Sequence, residues 1–203
     1  VLLRHLVIVS HAVPADRVRS HVPSGLELDT LKVNGQTCAI LQMSAFWNEN
    51  FHYTPLPKPS LDFWQMNYRV LVHAQIADQT PVAQLQKSAA RGEQGIYVFR
   101  SYLGTRTSWV VQRAVAAEAA YADFNVITRG AGASADSTGE YASLILDVNP
   151  GEDAPPTQIA LRSASSTRME EPVAPFAAWP KMVHFLTHRL QAFAQLSVGE
   201  NIF

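Results

Sequence analysis

Alternation of apolar and polar residues with a period of two dominates the chain and predicts β-strands. In Gln36–Asn48 the odd positions are almost all apolar, and Leu61–Ala74 alternates in the same way. Further strands are predicted at Leu6–Ser10, Gly95–Leu103, Phe124–Thr128, Glu140–Asn149 and Thr157–Ser163. Stretches rich in glycine, proline and small polar residues separate the strands and predict surface loops. These loops cover Asn48–Ser60, Ala77–Gly95, Arg129–Gly139 and Asn149–Pro156.

Helix signals are fewer than strand signals. Pro14 stands in the first turn of a short predicted helix. Thr107 or Ser108 is a candidate N-cap for a longer helix through Ala120, and a third helix is predicted after Pro180, through about residue 190. Because strands lie before and after a central helix, the pattern predicts an α+β protein with a few helices and a largely antiparallel sheet, curved or closed. No loop resembles an interdomain linker, so we expect residues 1–203 to form a single domain.

Composition excludes several classes of protein. Charged residues make up 16% of the chain and hydrophobic residues 47%, and 16 basic against 17 acidic residues leave a net charge of −1. A disordered chain would be more charged and less hydrophobic, and a general nucleic-acid-binding protein would carry a basic excess. No apolar run approaches the roughly 18 residues that indicate a membrane span. We therefore expect a globular protein with no nucleic-acid or membrane partner.

The single cysteine and the chain ends suggest the cellular context. Cys38 has no second cysteine to pair with, which agrees with a reducing, cytoplasmic location. The first residues do not read as a signal peptide. The chain begins without an initiator methionine and ends abruptly at Phe203, so we expect further residues in the gene product.

The strand at Leu61–Ala74 carries the strongest chemical signal. One face is apolar or aromatic and consists of Trp64, Met66, Tyr68, Val70 and Val72. The other face carries most of the polar side chains and consists of Phe63, Gln65, Asn67, Arg69, Leu71 and His73. Arginine and asparagine orient carboxylates and carbonyls, and arginine does so with two parallel hydrogen bonds. If the apolar face packs on the core, the polar face either lines a cavity or contacts solvent.

Aromatic residues are concentrated around that strand. Seven of them fall within one predicted hairpin, at Phe46, Trp47, Phe51, Tyr53, Phe63, Trp64 and Tyr68. Such a group walls a small-molecule pocket in many proteins, and in others it anchors a hydrophobic core. The intervening segment HYTPLPKP is either a lid over such a pocket or a rigid connection.

Motifs for metal, phosphate and nucleophilic chemistry do not occur in the sequence. Of the seven histidines only His184 and His188 share a helical i, i+4 spacing, and no H-E-x-x-H motif accompanies them. There is no G-x-S-x-G motif, and the glycine-rich loop has no G-K-[ST] sequence. We therefore predict no metal and no cofactor, and no residue is assigned a catalytic role.

Several segments in a fixed order carry a family resemblance. They are HAVPADRVRSHVPSGLELD, NYRVLV, EQGIYVFRSYL and FLTHRLQAF, with a helix that holds Arg113 and ends near Tyr121. Their order resembles the YqjF-like domain-of-unknown-function family 2071 of the acetoacetate decarboxylase-like superfamily. The resemblance implies a sheet that closes into a cone or barrel around a small-molecule cavity. It also implies that Asn67, Arg69, Arg113 and Tyr121 line that cavity.

The sequence departs from the superfamily at its best-known chemistry. Those decarboxylases form a Schiff base on a lysine whose pKa is depressed by burial and by a second lysine. Their motif, Arg-Glu-x-x-Gly-Phe-Pro-Lys-Lys, corresponds here to Arg113–Tyr121, which contains neither lysine. The four lysines of the chain are Lys32, Lys58, Lys87 and Lys181, and three of them lie in or beside polar segments rich in proline, glycine or glutamine, so we expect none to have the apolar burial that Schiff-base chemistry requires. Imine chemistry is therefore not expected.

Three hypotheses for function follow. The first is a protein that binds a small carboxylate- or carbonyl-bearing molecule, an anion being favoured. Its candidate ligand-binding residues are Asn67, Arg69, Arg113, Tyr121, His73, Trp64 and Phe63. The second is an enzyme of unknown reaction that uses Tyr121, His73 or His11 as acid or base in the same cavity. The third is a structural or regulatory homo-oligomer that binds protein through an exposed aromatic edge.

Overall fold

The computed structural model describes residues 2–53, 56–74, 94–114, 116–129, 143–162, 176, 178–187 and 191–193. The strands are β1 (Leu2–Pro14), β2 (Leu26–Leu28), β3 (Thr30–Val33), β4 (Gln36–Tyr53), β5 (Leu56–Ala74), β6 (Gln94–Leu103), β7 (Ala119–Tyr121), β8 (Asp123–Arg129), β9 (Ser143–Asn149), β10 (Thr157–Arg162) and β11 (Gln191–Phe193). The helices are α1 (Ala15–Arg19), α2 (Arg106–Arg113) and α3 (Trp179–Thr187). The predicted α+β class is confirmed.

The main sheet is built on two long antiparallel strands. Its strand order is β1-β4-β5-β6-β11, with β2 on β5, β3 on β4 and β7 on β6. Strands β7 and β11 run parallel to β6, and the other pairs are antiparallel. In the β3–β4 hairpin, Asn34 and Gly35 adopt φ angles of 49° and 81°, the left-handed conformation that a two-residue turn requires.

The sheet is buried on both faces. Strands β8, β9 and β10 form a second sheet, whose Leu146, Val148 and Ile159 pack on Met66 and Tyr102 of the main sheet. Helix α1 covers another part of that face through Val18. The opposite face carries α3 over one apolar cluster and Trp109 of α2 over another. The β4–β6 core therefore lies between two covering layers.

The predicted closure of the sheet into a cone or barrel is wrong for the described strands. Strands β1 and β11 stand at opposite ends of the path through the main sheet, and β8–β10 form a separate sheet. The second sheet packs face to face on the first instead of extending its edge. Apolar residues such as Met66 are thus buried without closure.

The predicted loop at Asn48–Ser60 is also wrong over most of its length. Strand β4 continues to Tyr53 and β5 begins at Leu56, so the two strands form one long hairpin and residues 54–55 lie outside the described residues. Register shifts on both sides of Phe51 accommodate the irregular pairing. The proposed lid, HYTPLPKP, is therefore mostly strand.

Helix α2 begins and ends earlier than the sequence predicts. The N-cap is Thr105, whose Oγ1 accepts a hydrogen bond of 3.2 Å from the backbone N–H of Ser108. The helix ends at Arg113 and not at Ala120, because Ala119–Tyr121 pair with β6 as strand β7. The alanine-rich sequence favours helix, but pairing with the edge of the sheet overrides that preference.

Candidate functional site

A buried set of polar side chains crosses the centre of the main sheet. We call it the polar cluster, and it consists of Ser10, Gln42, Ser44, Asn48, Gln65, Asn67, Arg69 and Ser101. Directly opposite residues on neighbouring antiparallel strands point to the same face. One row across the sheet is therefore Ser44–Asn67–Ser101, and the next contains Ser10, Gln42 and Arg69. All except Ser10 and Arg69 are buried.

Hydrogen bonds fix the amide of Asn67 from two sides. Its Oδ1 accepts from Gln65 Nε2 at 2.9 Å and from Ser101 Oγ at 2.8 Å. Gln65 in turn accepts at Oε1 from Asn48 Nδ2, at 3.1 Å. Because the oxygen of Asn67 is occupied twice, its amide N–H groups are the part of the side chain left to donate.

Ser44 lies beside this amide and has no hydrogen-bond partner for its side chain within the described part of the chain. It is the cross-strand neighbour of Asn67, and its relative exposure is 0%. Among the described residues, its Oγ is one of two fully buried side-chain polar atoms that make no hydrogen bond, the other being Glu118 Oε2. Burying an unpaired hydroxyl costs about 1–3 kcal/mol, so such a group needs an explanation. A hydroxyl and an amide donor side by side suit one oxygen atom of a ligand.

Arg69 brings positive charge to the same face. Its Nε donates to Gln42 Oε1 at 3.1 Å. Gln42, only 1% exposed, donates from Nε2 to Ser10 Oγ at 3.0 Å and to the backbone carbonyl of Leu186 at 2.9 Å. The guanidinium is thus held half-buried, two residues along the strand from Asn67 and in the next row on the same face.

Apolar clusters flank the polar cluster at both ends. On the α3 side, Phe185 and Leu186 pack on Ile40, Leu71 and Val98. On the α2 side, Trp109 packs with Phe63, Leu103 and Ala119. The polar cluster therefore lies between two apolar clusters on one face of the main sheet.

The two aromatic residues predicted for the site lie on opposite faces of β5. Phe63 is on the face of the polar cluster, buried against Phe51 with ring centroids 5.4 Å apart. Trp64 is on the other face, half-buried and 5.8 Å from Trp47 between ring centroids. The structure therefore brings Phe63, and not Trp64, to the face that holds Asn67.

Arg113 and Tyr121, two further residues predicted for the site, make their hydrogen bonds elsewhere. Arg113 is exposed and donates to the backbone carbonyl of Ala117, just beyond its own helix. The Tyr121 hydroxyl donates to Asp123, an interaction that raises the pKa of the phenol. This tyrosine lies two strands from β5, which corresponds to about 10 Å.

His73 lies at the far end of β5 from the centre of the polar cluster. Its Nε2 is 2.8 Å from a carboxylate oxygen of Glu27. His73 is four positions along the extended strand from Arg69, or about 13 Å. The structure thus groups Asn67, Arg69 and Phe63, and it leaves Arg113, Tyr121 and His73 outside that group.

Several members of the polar cluster were not predicted from the sequence. Gln42 and Ser44 were visible as polar residues on one face of the predicted Gln36–Asn48 strand, and Ser101 lay in the next predicted strand. What was missing was the strand register, which places these residues opposite Arg69 and Asn67. Periodicity predicts which residues share a face of one strand, but it does not predict pairing between strands.

Glu118 is the second unexpected polar group. It is 8% exposed, immediately precedes β7, and its Oε2 makes no hydrogen bond within the described part of the chain. Burial raises the pKa of this carboxyl group, and the nearby positive charges of Arg100 and Arg113 oppose the rise. Burial of Tyr97 raises the pKa of its phenol, and the negative charge of Glu118 raises it further.

Over the described residues there is no group of three or more His, Cys, Asp or Glu side chains arranged to hold a metal ion. None of the helices in that part of the structure is long and apolar enough to cross a membrane.

The fold and the polar cluster define an α+β protein with a donor-rich face buried in its main sheet. Residues 2–198 match the model of the family DUF2071, described as an uncharacterized conserved protein. The chain belongs to this family. No curated protein and no solved structure matches the chain.

Proposed function

We propose that this protein binds a small molecule through a carboxylate or carbonyl oxygen at Ser44 and Asn67, with Arg69 supplying positive charge. The observation that carries the proposal is the Ser44 hydroxyl, fully buried beside the amide of Asn67 and without a hydrogen-bond partner among the described residues. An oxygen acceptor from a ligand would satisfy both groups. The acetoacetate decarboxylase-like kinship suggested by the motif order is part of this proposal.

The hydrogen-bond network supports an oxygen-bearing ligand over a cationic one. Gln65 and Ser101 both donate to Asn67, so the amide presents N–H groups. Arg69 lies in the adjacent row and is held by Gln42. Donors and a guanidinium attract a carboxylate or carbonyl and repel a cation.

Binding is favoured over acid–base catalysis by the same geometry. The hydroxyl of Tyr121 is bonded to Asp123, and His73 is bonded to Glu27 at the end of β5. Neither group therefore serves the Ser44–Asn67 pair in this arrangement, and His11, paired with Leu41, lies on the opposite face of β1 from Ser10 and the polar cluster. The site we propose consists of Ser44, Asn67 and Arg69.

The test is a thermal-shift titration with sodium pyruvate, which carries both a carboxylate and a carbonyl. Acetate and acetone separate the two oxygen types, and sodium chloride controls for ionic strength. A ligand that binds only the folded state raises Tm as its concentration rises. We expect pyruvate to stabilise the parent and to lose most of this effect in Ser44→Ala and Arg69→Gln.

Two matched variants control for the chemical changes. Ser108 is another fully buried serine, and Arg113 is an exposed arginine outside the polar cluster. Ser108→Ala and Arg113→Gln are expected to keep the response to pyruvate. The proposal is overturned if pyruvate fails to stabilise the parent, or if its effect survives in both Ser44→Ala and Arg69→Gln.

A further inference from the structure

Helix α3 and the proposed site are joined by one buried side chain. The Nε2 of Gln42 donates to the carbonyl of Leu186 at 2.9 Å, and its Oε1 accepts from Arg69 Nε at 3.1 Å. Leu186 is in the last turn of α3, where backbone carbonyls have no partner within the helix. Gln42 therefore satisfies a helix carbonyl with one end of its amide and orients the arginine with the other.

We infer that Gln42 is a positioning residue that couples the docking of α3 to ligand binding at Arg69. This inference rests on the proposed function. When α3 is docked, the acceptors at Leu186 and Ser10 hold the amide of Gln42 with its oxygen toward Arg69. When α3 is displaced, Gln42 loses the Leu186 acceptor, which is one of the two acceptors that hold its amide with the oxygen toward Arg69.

The packing of α3 allows both a docked and a displaced state of the helix. The helix is nine residues long; Phe185 and Leu186 pack on the sheet and Met182 is buried, while Lys181, Val183 and His184 are exposed. A short helix held by few apolar side chains opens at a lower free energy than the strands beneath it. The Gln42–Leu186 hydrogen bond helps to hold the helix on the sheet at the side nearest the polar cluster.

Coupling of this kind is reciprocal, so ligand binding must also hold α3 in place. One hydrogen bond between neutral groups changes an equilibrium by roughly threefold to tenfold. In the parent, saturating sodium pyruvate is therefore expected to slow hydrogen exchange of the α3 amides by roughly threefold to tenfold. The full chain is used, and exchange is followed by mass spectrometry on peptides that cover α3.

Two variants identify the residue responsible. Gln42→Met fills similar space without polar atoms, and it is expected to abolish the pyruvate-dependent slowing in α3. Ser10→Ala removes the other acceptor of Gln42 Nε2 but keeps the bonds to Leu186 and Arg69, so the slowing should persist. If Gln42 had only a structural role, Gln42→Met would lower the protection of the α3 amides from exchange equally with and without pyruvate.

The outcomes separate this inference from the proposed function. Absence of any thermal stabilisation of the parent by pyruvate refutes the proposed function itself. Stabilisation of the parent without slower α3 exchange overturns the coupling and leaves the binding site intact. Persistence of the slowing in Gln42→Met also overturns the role of Gln42. If Gln42→Met does not fold, the exchange of the parent with and without pyruvate still tests whether α3 docking and ligand binding are coupled.

Discussion

Substitution of Ser44 by alanine is expected to stabilise the ligand-free protein, which is unusual for a fully buried position. The Ser44 hydroxyl makes no hydrogen bond to the described residues, and an unpaired buried hydroxyl costs about 1–3 kcal/mol. Alanine removes this cost and leaves a gap of only one oxygen atom, which returns a small part of the gain. We expect a net gain of about 1 kcal/mol in the free energy of unfolding, or about 2–4 °C in Tm.

Ser108 supplies the comparison, because it is equally buried and fully bonded. Its Oγ donates to the Thr105 carbonyl at 2.9 Å and lies 2.7 Å from Thr105 Oγ1. Ser108→Ala is expected to lose about 1 kcal/mol. Urea unfolding of extensively dialysed protein measures both changes, and opposite signs are expected. A loss of 1 kcal/mol or more in Ser44→Ala would mean that its hydroxyl is already satisfied, and it would refute the reasoning behind the site.

Two further predictions concern residues outside the polar cluster. Burial raises the pKa of the Glu118 carboxyl group, so the folded chain holds its proton to higher pH than the unfolded chain does. The stability that this protonated group contributes is therefore present in acid and is lost as the pH rises through the folded-state pKa. Glu118→Gln should therefore gain about 1 kcal/mol relative to the parent at pH 8 and much less at pH 4, measured by urea unfolding; an equal difference at both pH values would contradict this. Gly104→Ala should cost about 1–3 kcal/mol, because the added Cβ would lie 3.0 Å from Phe124 Cδ2 and 3.3 Å from the carbonyl oxygen of Trp64. Gly25→Ala, where the Cβ meets nothing within 4 Å, is the control, and equal Tm changes in the two variants would count against the packing argument.

Most strands were predictable because the alternation of apolar and polar residues reflects which side chains are buried. The strands that the sequence did not predict were missed for local reasons. The two faces of Leu61–Ala74 separate in the structure as the alternation predicts. Short strands such as β2 and β7 were not predicted, because three residues carry too little periodicity. The Asn34–Gly35 turn was a readable hairpin signal, and it would have separated β3 from β4.

The candidate site was predictable only in part. Asn67 and Arg69 were found because a single strand displays them on one face. Arg113 was grouped with them through the family resemblance, and the structure instead bonds its guanidinium to the Ala117 carbonyl. Side chains near a helix C-terminus find backbone carbonyls close at hand, and such local bonds are invisible to motif spacing. Ser44 and Gln42 required the register of β4 against β5.

A polar cluster at the centre of a sheet has an energetic consequence that bears on function. Buried amides and hydroxyls stabilise a fold little more than well-packed apolar side chains, and they destabilise it when left unpaired. In this cluster the amides of Asn48, Gln65 and Asn67 bond to one another, and Gln42 bonds to Arg69 and α3. The same network leaves Ser44 without a partner among the described residues. We propose that this hydroxyl takes its partner from a bound molecule. Ser44→Ala, measured with and without pyruvate, tests that proposal.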